Sequence, residues 1–498
     1  MKKIRIGIIG AGRISDLHGE GYRHCPEARI YAVCDRDGTL AASRAARWGA
    51  DKSCTDYREI LNDPDVDAVD ILTPHDLHEK MVIQALEAGK HVAVQKPVTV
   101  DLKSADRMIA AAEKSGRIFK VSENYIFYPP IRKAAELIKE GIIGEPQNIR
   151  INLIGAGSGG WEIPDSAWAW RMKEFVESRG METFDHGHHL WSTVWFLMGS
   201  FREVSAWIDN TQGMIDAPAV VMWKHDTPGR YGTCTFSYAN GLTMPSDYYA
   251  NDEWIDITGS RGIIRINRCT GHLVEGPVLS WYDGTRWTHD ETTPSDWQEG
   301  FTGAMKNFIG SILGREEPGL SGPQAREILA FNLAVQRSSD LQRSVFLDEI
   351  LHPRKLLLSR WHRSKNKKEI HDFKSRLLRE SQGGDRYESL AGRSEELTLA
   401  LAERSDREKL RGWRVQIGLE LKDRTGVTEY LFISDGKTAR MEKGPLRGDE
   451  NLTISVSSGL WAALLLGKRK LQTAYLQGKL KFRGDLDCAF KLKEVLGL

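Results

Sequence analysis

The feature that most constrains the fold is an apolar run, Ile4–Ile9, that leads directly into the glycine-rich turn beginning at Gly10. A short apolar run ended by glycines predicts a buried parallel strand followed by a tight turn. Further apolar runs lie at Arg29–Cys34, Ala68–Leu72 and His91–Val94, with helical segments between them. Strands that alternate with helices at this spacing predict a doubly wound parallel sheet.

The chain has 498 residues, which is too long for one hydrophobic core. After about residue 124, strand-like segments separated by turn residues predict a second α/β domain with an open, mostly antiparallel sheet. Ten Lys and Arg against three Asp and Glu in residues 351–380 indicate a basic helical linker. Apolar alternation near the C-terminus predicts a small α+β domain. The predicted domains are therefore residues 1–122, 123–350 and 395–498, with a linker over 351–394.

Composition excludes several classes of protein. Lys and Arg exceed Asp and Glu by one residue, so net charge does not favour nucleic acid as a partner. The six cysteines lie far apart without a Cys-x-x-Cys pair, which is typical of reduced thiols. No stretch approaches the roughly 18 apolar residues of a membrane span. We therefore expect a soluble, cytoplasmic protein without a transmembrane segment.

The turn after the first strand is a candidate phosphate-binding element. Gly10 and Gly12 would let backbone N–H groups approach a pyrophosphate at a helix N-terminus, and Ser15 takes the place of the usual third small residue. Asp35 ends the second strand, where a carboxylate can accept hydrogen bonds from both ribose hydroxyls. This carboxylate favours NAD, because a 2′-phosphate would meet its charge. Arg36 could instead grip that phosphate, which leaves NADP as an alternative.

Two further motifs carry candidate catalytic groups. Lys96 follows the strand at His91–Val94, so it lies either at the crevice where open sheets bind ligands or in solvent. Asp185 and His189 stand four residues apart and share one helix face. A histidine there can accept a hydroxyl proton, although a capping aspartate and a core histidine would look the same. A zinc site formed with His186 and His188 is a further alternative, and it lacks a distant fourth ligand.

The order of these motifs along residues 1–345 resembles the Gfo/Idh/MocA oxidoreductase family. The resemblance implies a Rossmann domain joined to an open-sheet α/β domain, and association into a homo-oligomer through the exposed sheet face. It also implies that Lys96 orients the reacting hydroxyl, that His189 is the general base, and that Asp185 binds substrate beside it. Gln95 stands where the family usually has Glu, which alters the surroundings of Lys96.

The same resemblance assigns the remaining site residues. The cofactor-binding residues it implies are Gly10, Gly12, Arg13, Ile14, Asp35, Arg36, Thr73, Pro74, His78, Gln95, Lys96 and Asn124. The substrate-binding residues it implies are Tyr125, Trp170, Arg171, Asp185 and His189. No metal is expected.

The C-terminal domain resembles the SCP2-like sterol carrier family. The segments that carry the resemblance are Gly436-Lys437, Leu452–Val456, Leu464–Lys468 and, most specifically, Ala474–Leu486. Such domains enclose an apolar tunnel, which implies a lipid ligand. The alternating strands and apolar helix alone are equally compatible with a filled core that serves in dimerisation or docking.

These observations together predict an NAD(P)-dependent dehydrogenase that acts on a sugar, inositol or related polyol, with a substrate that could be lipid-linked. Two alternatives stay open at this point. One is an enzyme that cleaves glycosides through transient oxidation by tightly held NAD. The other is a non-catalytic protein that binds cofactor and lipid.

Overall fold

The computed structural model describes residues 3–163, 165–177, 179–209, 215–352, 387–423, 426–468, 471, 474, 479–485, 488–489, 491–492 and 495. The chain divides into two compact units. The first comprises Met1–Trp161, Arg179–Thr211 and Ile215–Arg363, and the second comprises Glu162–Ser178, Gln212–Met214 and Ser364–Leu498. Most of the predicted linker, residues 353–386, lies outside the described residues.

The first sheet of the first unit is parallel throughout. Its strands are β1 (Ile4–Ile9), β2 (Ala28–Cys34), β3 (Lys52–Cys54), β4 (Ala68–Ile71), β5 (His91–Gln95) and β6 (Phe119–Ser122). They lie in the order β3-β2-β1-β4-β5-β6, and every neighbouring pair is parallel. The order reverses direction beside β1, so a crevice opens at the carboxyl ends of β1 and β4.

The second sheet of this unit is mixed. Its strands are β7 (Pro146–Gly159), β8 (Phe201–Ile208), β9 (Ala219–His225), β10 (Tyr231–Met244), β11 (Asn251–Gly259), β12 (Ile263–Ile266), β13 (Leu279–Tyr282), β14 (Trp287–Asp290) and β15 (Val345–Phe346). The pairing of β7 with β10 is parallel, and the other neighbours are antiparallel. The observed architecture confirms the predicted fold class.

Helices connect and cover the strands. Over the first 351 residues they are α1 (Ser15–Arg23), α2 (Gly38–Trp48), α3 (Tyr57–Asn62), α4 (His78–Glu87), α5 (Leu102–Ser115), α6 (Pro129–Lys139), α7 (Asp165–Val176), α8 (Gly187–Met198), α9 (Gln298–Ile312), α10 (Gly322–Leu341) and α11 (Leu347–Leu351). A π-helical turn, Met181–His186, leads directly into α8. Helix α7 belongs to the second compact unit.

Helix α8 is anchored by Trp191, which is fully buried. Its indole packs against Trp223, Phe236 and Phe331, with ring centroids 5.3–5.9 Å apart. The indole N–H donates a hydrogen bond to Asn332 on α10 at 3.1 Å. Because the apolar face and the polar edge of this side chain are both satisfied, α8 has a fixed position above the second sheet.

Two strands of the parallel sheet have weak sequence signals. Strand β3 has three residues, and its Lys52 and Ser53 are exposed. The apolar pattern of β6 is interrupted by Lys120, which is nevertheless fully buried. Its ammonium donates hydrogen bonds to the carbonyl of Ala304 at 2.7 Å and to Asn307 Oδ1 at 2.9 Å. The hydrophobic periodicity of a sequence does not distinguish a buried lysine with such partners from an exposed lysine.

The second unit has its own core. Its later strands are β16 (Arg414–Asp423), β17 (Gly426–Asp435), β18 (Ala439–Lys443), β19 (Leu452–Ser457) and β20 (Leu480–Gly484), in the order β18-β17-β16-β19-β20. Its later helices are α12 (Ser394–Leu399), α13 (Leu401–Arg404), α14 (Arg407–Leu410) and α15 (Ser458–Leu465). The predicted signature Ala474–Leu486 is described only at residues 474 and 479–485.

An apolar cavity of about 10 Å³ lies in this core, lined by side chains that include Ile417, Leu419, Phe432 and Trp461. A void of that size holds at most about one water molecule, so the described side chains nearly fill the core at this point.

Two further expectations concern the whole chain. None of the six cysteines forms a disulfide. Within the described part of the chain, no helix is long and apolar enough to cross a membrane.

Candidate active site

The glycine turn after β1 has the geometry that a closely approaching ligand needs. Gly10 has φ +101°, and a Cβ there would lie 2.6 Å from the carbonyl oxygen of Leu72. A Cβ on Gly12 would meet open space. Asp35 Oδ2 accepts a hydrogen bond from the N–H of Ala11 at 2.8 Å. The carboxylate predicted to bind ribose therefore lies directly beside the turn predicted to bind phosphate.

The neighbouring predicted residues surround this turn. The Arg13 guanidinium lies over the ring of Trp161, 4.5 Å from its centroid. Ile14 occupies the N-cap position of α1, and Arg36 is exposed. An exposed Arg36 is free of the sheet, so its side chain does not compete with Asp35 for the turn.

His78 joins two turns at the carboxyl edge of the parallel sheet. The ring is fully buried, with Nε2 2.8 Å from the carbonyl oxygen of Thr73 and Nδ1 3.1 Å from that of Pro97. Burial lowers the pKa of His78 to about 4, so the ring is neutral at pH 7. This contact holds the Thr73-Pro74 turn against the residues that follow Lys96. Direct contact of His78 with a cofactor stays a prediction.

Lys96 and Asp185 meet although they are distant in the chain. The Lys96 ammonium donates hydrogen bonds to Asp185 Oδ1 and to the Asp185 carbonyl oxygen, each at 2.7 Å. His75 Nε2 lies 3.6 Å from the same Oδ1 atom. The backbone N–H of Lys96 donates a hydrogen bond to Gln95 Oε1 at 2.8 Å, which helps to fix the backbone at this position. The predicted lysine is therefore at the site and not in solvent.

His189 forms a second contact between the two sheets, with a residue that the sequence did not single out. Its Nδ1 lies 2.6 Å from Glu123 Oε1, just after β6. A carboxylate only accepts hydrogen bonds, so Nδ1 carries the proton and the Nε2 lone pair is available. Burial lowers the pKa of His189 to about 4, although Glu123 opposes the shift. The imidazole is therefore neutral at pH 7, with the lone pair of Nε2 able to accept a proton.

Glu123 is fully buried, as is Tyr125 beside it. Burial alone would raise the pKa of Glu123, but the adjacent His189 ring and the Tyr125 N–H, at 3.0 Å, hold it below its ordinary value. The Tyr125 ring stacks on His189 with centroids 4.5 Å apart. Position 123 directly follows a parallel strand, which is the signal that could have identified it.

A second histidine–carboxylate pair lies beside the first. His186 Nε2 hydrogen-bonds Glu253 Oε1, and the fully buried Glu253 also accepts the Tyr125 hydroxyl at 2.9 Å and the Thr270 hydroxyl at 3.1 Å. The rings of His186 and His189 are 5.5 Å apart. Burial would lower the pKa of His186, but Glu253 raises it above its ordinary value.

The π-helical turn that presents Asp185 and His186 is fixed at its start by Asp216. The Asp216 carboxylate accepts the backbone N–H groups of Glu182 at 2.7 Å and Thr183 at 3.1 Å, and it also contacts the Thr183 hydroxyl. These bonds satisfy donors that a helix start leaves open.

The remaining predicted residues divide between the two units. Asn124 is buried at the carboxyl edge of the parallel sheet, and no described residue hydrogen-bonds its Nδ2 atom. Trp170 and Arg171 lie on α7 in the second unit, where the guanidinium stacks over the indole 4.4 Å from its centroid. Their role toward substrate stays a prediction.

A metal site does not form from the Asp185–His189 segment. Asp185 binds Lys96, His186 binds Glu253 and His189 binds Glu123, so the three side chains serve different partners. No group of three or more His, Cys, Asp or Glu side chains within the described ranges is arranged to hold a metal ion.

Three family profiles match the chain. Residues 4–123 match the Gfo/Idh/MocA oxidoreductase family with its NAD-binding Rossmann fold, and residues 131–265 match the Gfo/Idh/MocA C-terminal domain. Residues 396–497 match the SCP-2 sterol transfer family.

Similar proteins include sugar and polyol enzymes. The myo-inositol 2-dehydrogenase of Thermotoga maritima is 25% identical over 354 residues, which span 70% of this chain and all of that protein. The levoglucosan dehydrogenase of Pseudarthrobacter phenanthrenivorans is 30% identical over 215 residues, 41% of this chain and 54% of that protein. A solved oxidoreductase from Agrobacterium radiobacter, in complex with NAD⁺, L-tartaric acid and magnesium, aligns with TM-score 0.60 and 22% identity over 70% of this chain and 99% of that one. The last likeness shows that the fold is shared.

The opposite pKa shifts of two adjacent histidines can be measured directly. In an NMR titration we expect the His189 ring to stay neutral down to about pH 5, because burial lowers its pKa to about 4. We expect the His186 ring to keep its proton above the ordinary value of about 6.5, because Glu253 stabilises the imidazolium. The variants His189→Gln and His186→Gln assign the two resonances. Equal titration of both rings near pH 6.5 would contradict this description of the site.

Proposed function

Because the chain belongs to the Gfo/Idh/MocA oxidoreductase family and carries an SCP-2 domain, we propose that it transfers hydride between NAD and a carbinol carbon of a sugar, inositol or related polyol. One observation carries the proposal. A lysine and a neutral, carboxylate-backed histidine converge at the carboxyl edge of a dinucleotide-binding sheet. The names of the inositol and levoglucosan dehydrogenases support the substrate class.

The residues present fit NAD. The open side of Gly12, the positive φ of Gly10 and the N-terminus of α1 suit a pyrophosphate, and the Asp35 carboxylate suits a ribose with a free 2′-hydroxyl. The buried amide of Asn124 has an unpartnered donor at the same edge. When bound, NAD supplies a two-electron acceptor at its nicotinamide ring.

Lys96 orients the reacting oxygen. An ammonium has three donors, and the contacts with Asp185 use two of them. The third is available to a substrate hydroxyl. Asp185 thus fixes the direction of the lysine and can itself accept a hydrogen bond from a neighbouring hydroxyl. Holding the substrate in this geometry supplies much of the acceleration expected for hydride transfer.

His189 moves the proton. Its Nε2 atom accepts the hydroxyl proton as hydride leaves the carbon, and it returns the proton in the reverse direction. The buried Glu123 carboxylate holds the ring in the required tautomer and stabilises the imidazolium that forms. Tyr125, stacked on the ring, limits its rotation.

The SCP-2 domain supports a lipid ligand for the second unit. The cavity beside Leu419 and Trp461 is entirely apolar in its lining, but at about 10 Å³ it is far too small for an acyl chain. Binding would therefore separate the side chains of the core. A substrate that joins a polyol to a lipid would engage both units of the chain.

An exposed sheet face supports self-association. Trp207 and Val220 are direct neighbours on β8 and β9, and Met222 follows on the same face. Their exposed fractions are 58%, 39% and 40%. A contiguous apolar patch of this kind is uncommon on a monomer. We propose that a second copy of the chain covers it.

The first test is cofactor binding followed by turnover. We expect titration with NAD⁺, NADH, NADP⁺ and NADPH to show tightest binding of the NAD pair, because Asp35 repels a 2′-phosphate. A polyol panel that includes myo-inositol should then yield NADH. Lys96→Met, His189→Ala and Glu123→Gln should each lower kcat by about 100-fold or more while NAD affinity stays within about twofold.

Glu145→Gln is the matched control, since that carboxylate is 86% exposed, and it should leave kcat unchanged. Full activity of the His189→Ala protein would exclude the proposed base. Turnover of a glycoside without accumulation of NADH would instead indicate cleavage through transient oxidation.

Lipid binding is tested on the full chain with a pyrene-labelled dodecanoate. We expect saturable fluorescence enhancement that Leu419→Trp reduces at least tenfold, because the larger side chain fills the space that the ligand must open. Val427→Trp, at an exposed position, is the control, and melting temperatures check that both variants fold. Equal binding by all three proteins would show that the probe does not enter this core.

Self-association is tested by light scattering. We expect Trp207→Glu combined with Met222→Glu to convert an oligomer into monomers, because charge cannot be buried at an apolar contact without a partner. The Glu145→Gln protein should keep the wild-type mass. A monomeric wild-type protein, or an oligomer that survives the double substitution, would exclude this face as the interface.

A further inference from the structure

A glycine in the second sheet makes room beside the active site. Gly155 on β7 lies between Tyr238 on β10 and Asn251 on β11, which are its direct neighbours in register. A Cβ on Gly155 would lie 3.1 Å from the Tyr238 ring and 3.6 Å from Glu182 Oε1. The surface of the sheet is therefore polar around Gly155, and the Glu182 carboxyl group lies directly over it.

Glu182 is a buried carboxyl that the proposed hydride transfer does not use. Its residue is 8% exposed, and no described residue hydrogen-bonds its Oε2 atom. Its backbone N–H is held by Asp216, so the side chain has a fixed origin. Leaving a buried polar atom without a partner destabilises a folded protein, so such an atom calls for a physical explanation.

Charged groups from three directions surround Glu182. Asp185 and His186 follow it on the same helical turn, Asp216 lies beneath the start of that turn, and Glu253 extends from β11. Burial raises the pKa of Glu182 to about 7, and His186 opposes part of the shift. The side chain therefore carries a proton below neutral pH, and an O–H group can donate a hydrogen bond.

Glu182 is close to the catalytic groups. It lies on the same π-helical turn as Asp185 and His186, and the charges of both act on its carboxyl group. The His186 ring, in turn, lies 5.5 Å from His189. The turn that carries Glu182 therefore also carries groups of the proposed active site.

We propose that Glu182 is a substrate-binding residue of this site, donating a hydrogen bond in its acid form to a hydroxyl oxygen of the polyol remote from the reacting carbon. This inference rests on the proposed function. With Asp185, Asp216 and Glu253 nearby, the same subsite disfavours carboxylate-bearing substrates, because the charge of the substrate would be repelled by these carboxylates. The enzyme should therefore prefer neutral polyols to sugar acids.

The test is the pH dependence of KM between pH 5.5 and 8.5. For the wild type we expect the KM of a neutral polyol such as myo-inositol to rise about 3–10-fold above pH 7, because ionised Glu182 cannot donate. Glu182→Gln keeps a donor at every pH, so its KM should stay near the low-pH value of the wild type. Glu182→Ala should show the raised KM throughout. In all three proteins kcat and NAD affinity should change less than about twofold.

Glu145→Gln serves as the control, and melting temperatures establish that each variant is folded. A wild-type KM that does not vary with pH, or an unchanged KM in Glu182→Ala, would overturn the proposal while leaving hydride transfer intact. If no turnover is found, calorimetry of myo-inositol binding to the NADH complex at pH 6 and pH 8 gives the same comparison. Binding with the expected pattern would then support Glu182 and count against the proposed reaction, and no binding to any protein would overturn both.

Discussion

The hydrogen-bonded ion pair between Lys96 and Asp185 is the interaction on which the site depends. Lys96 follows the fifth strand of the parallel sheet, and Asp185 lies on the turn that leads into the helix over the mixed sheet. Both side chains are mostly buried, so their desolvation offsets much of the Coulomb attraction. The pair therefore contributes little net stability. Its consequence is geometric, because it aligns the carboxyl edge of one sheet with the polar face of the other.

Tyr125 contacts both histidine–carboxylate pairs of the site. Its ring stacks on His189, its N–H donates to Glu123 and its hydroxyl donates to Glu253. The pKa values of the two histidines shift in opposite directions because burial dominates at His189 and the Glu253 carboxylate dominates at His186. The two rings, 5.5 Å apart, therefore differ in their readiness to hold a proton. Such separation of pKa values is how one site obtains distinct acid and base roles.

Much of this arrangement could be predicted from local sequence, and the rest could not. The parallel sheet, the Gly10 turn and Asp35 follow from short patterns, because strand, turn and strand end lie close together in the chain. The family resemblance assigned Lys96 and Asp185 to one site, but neither it nor any sequence pattern predicted their direct contact. Glu253 carries no local pattern, since it is recognised only by the partners that distant segments bring to it, and Glu123 offers only its place directly after a parallel strand. Helix α7, with Trp170 and Arg171, belongs to the second compact unit, and an aromatic-rich segment gives no sign of which core it joins.

The most direct test of the account is the fate of the hydrogen on the carbinol carbon. A polyol that the enzyme turns over, deuterated at carbon, is mixed with NAD⁺ in a single turnover, and the reduced cofactor is analysed by mass spectrometry and NMR. Direct hydride transfer places one deuterium at C4 of the nicotinamide, and none should appear there in the Lys96→Met protein on the same timescale. Reduced cofactor without deuterium, or label that returns wholly to the sugar product, would contradict it.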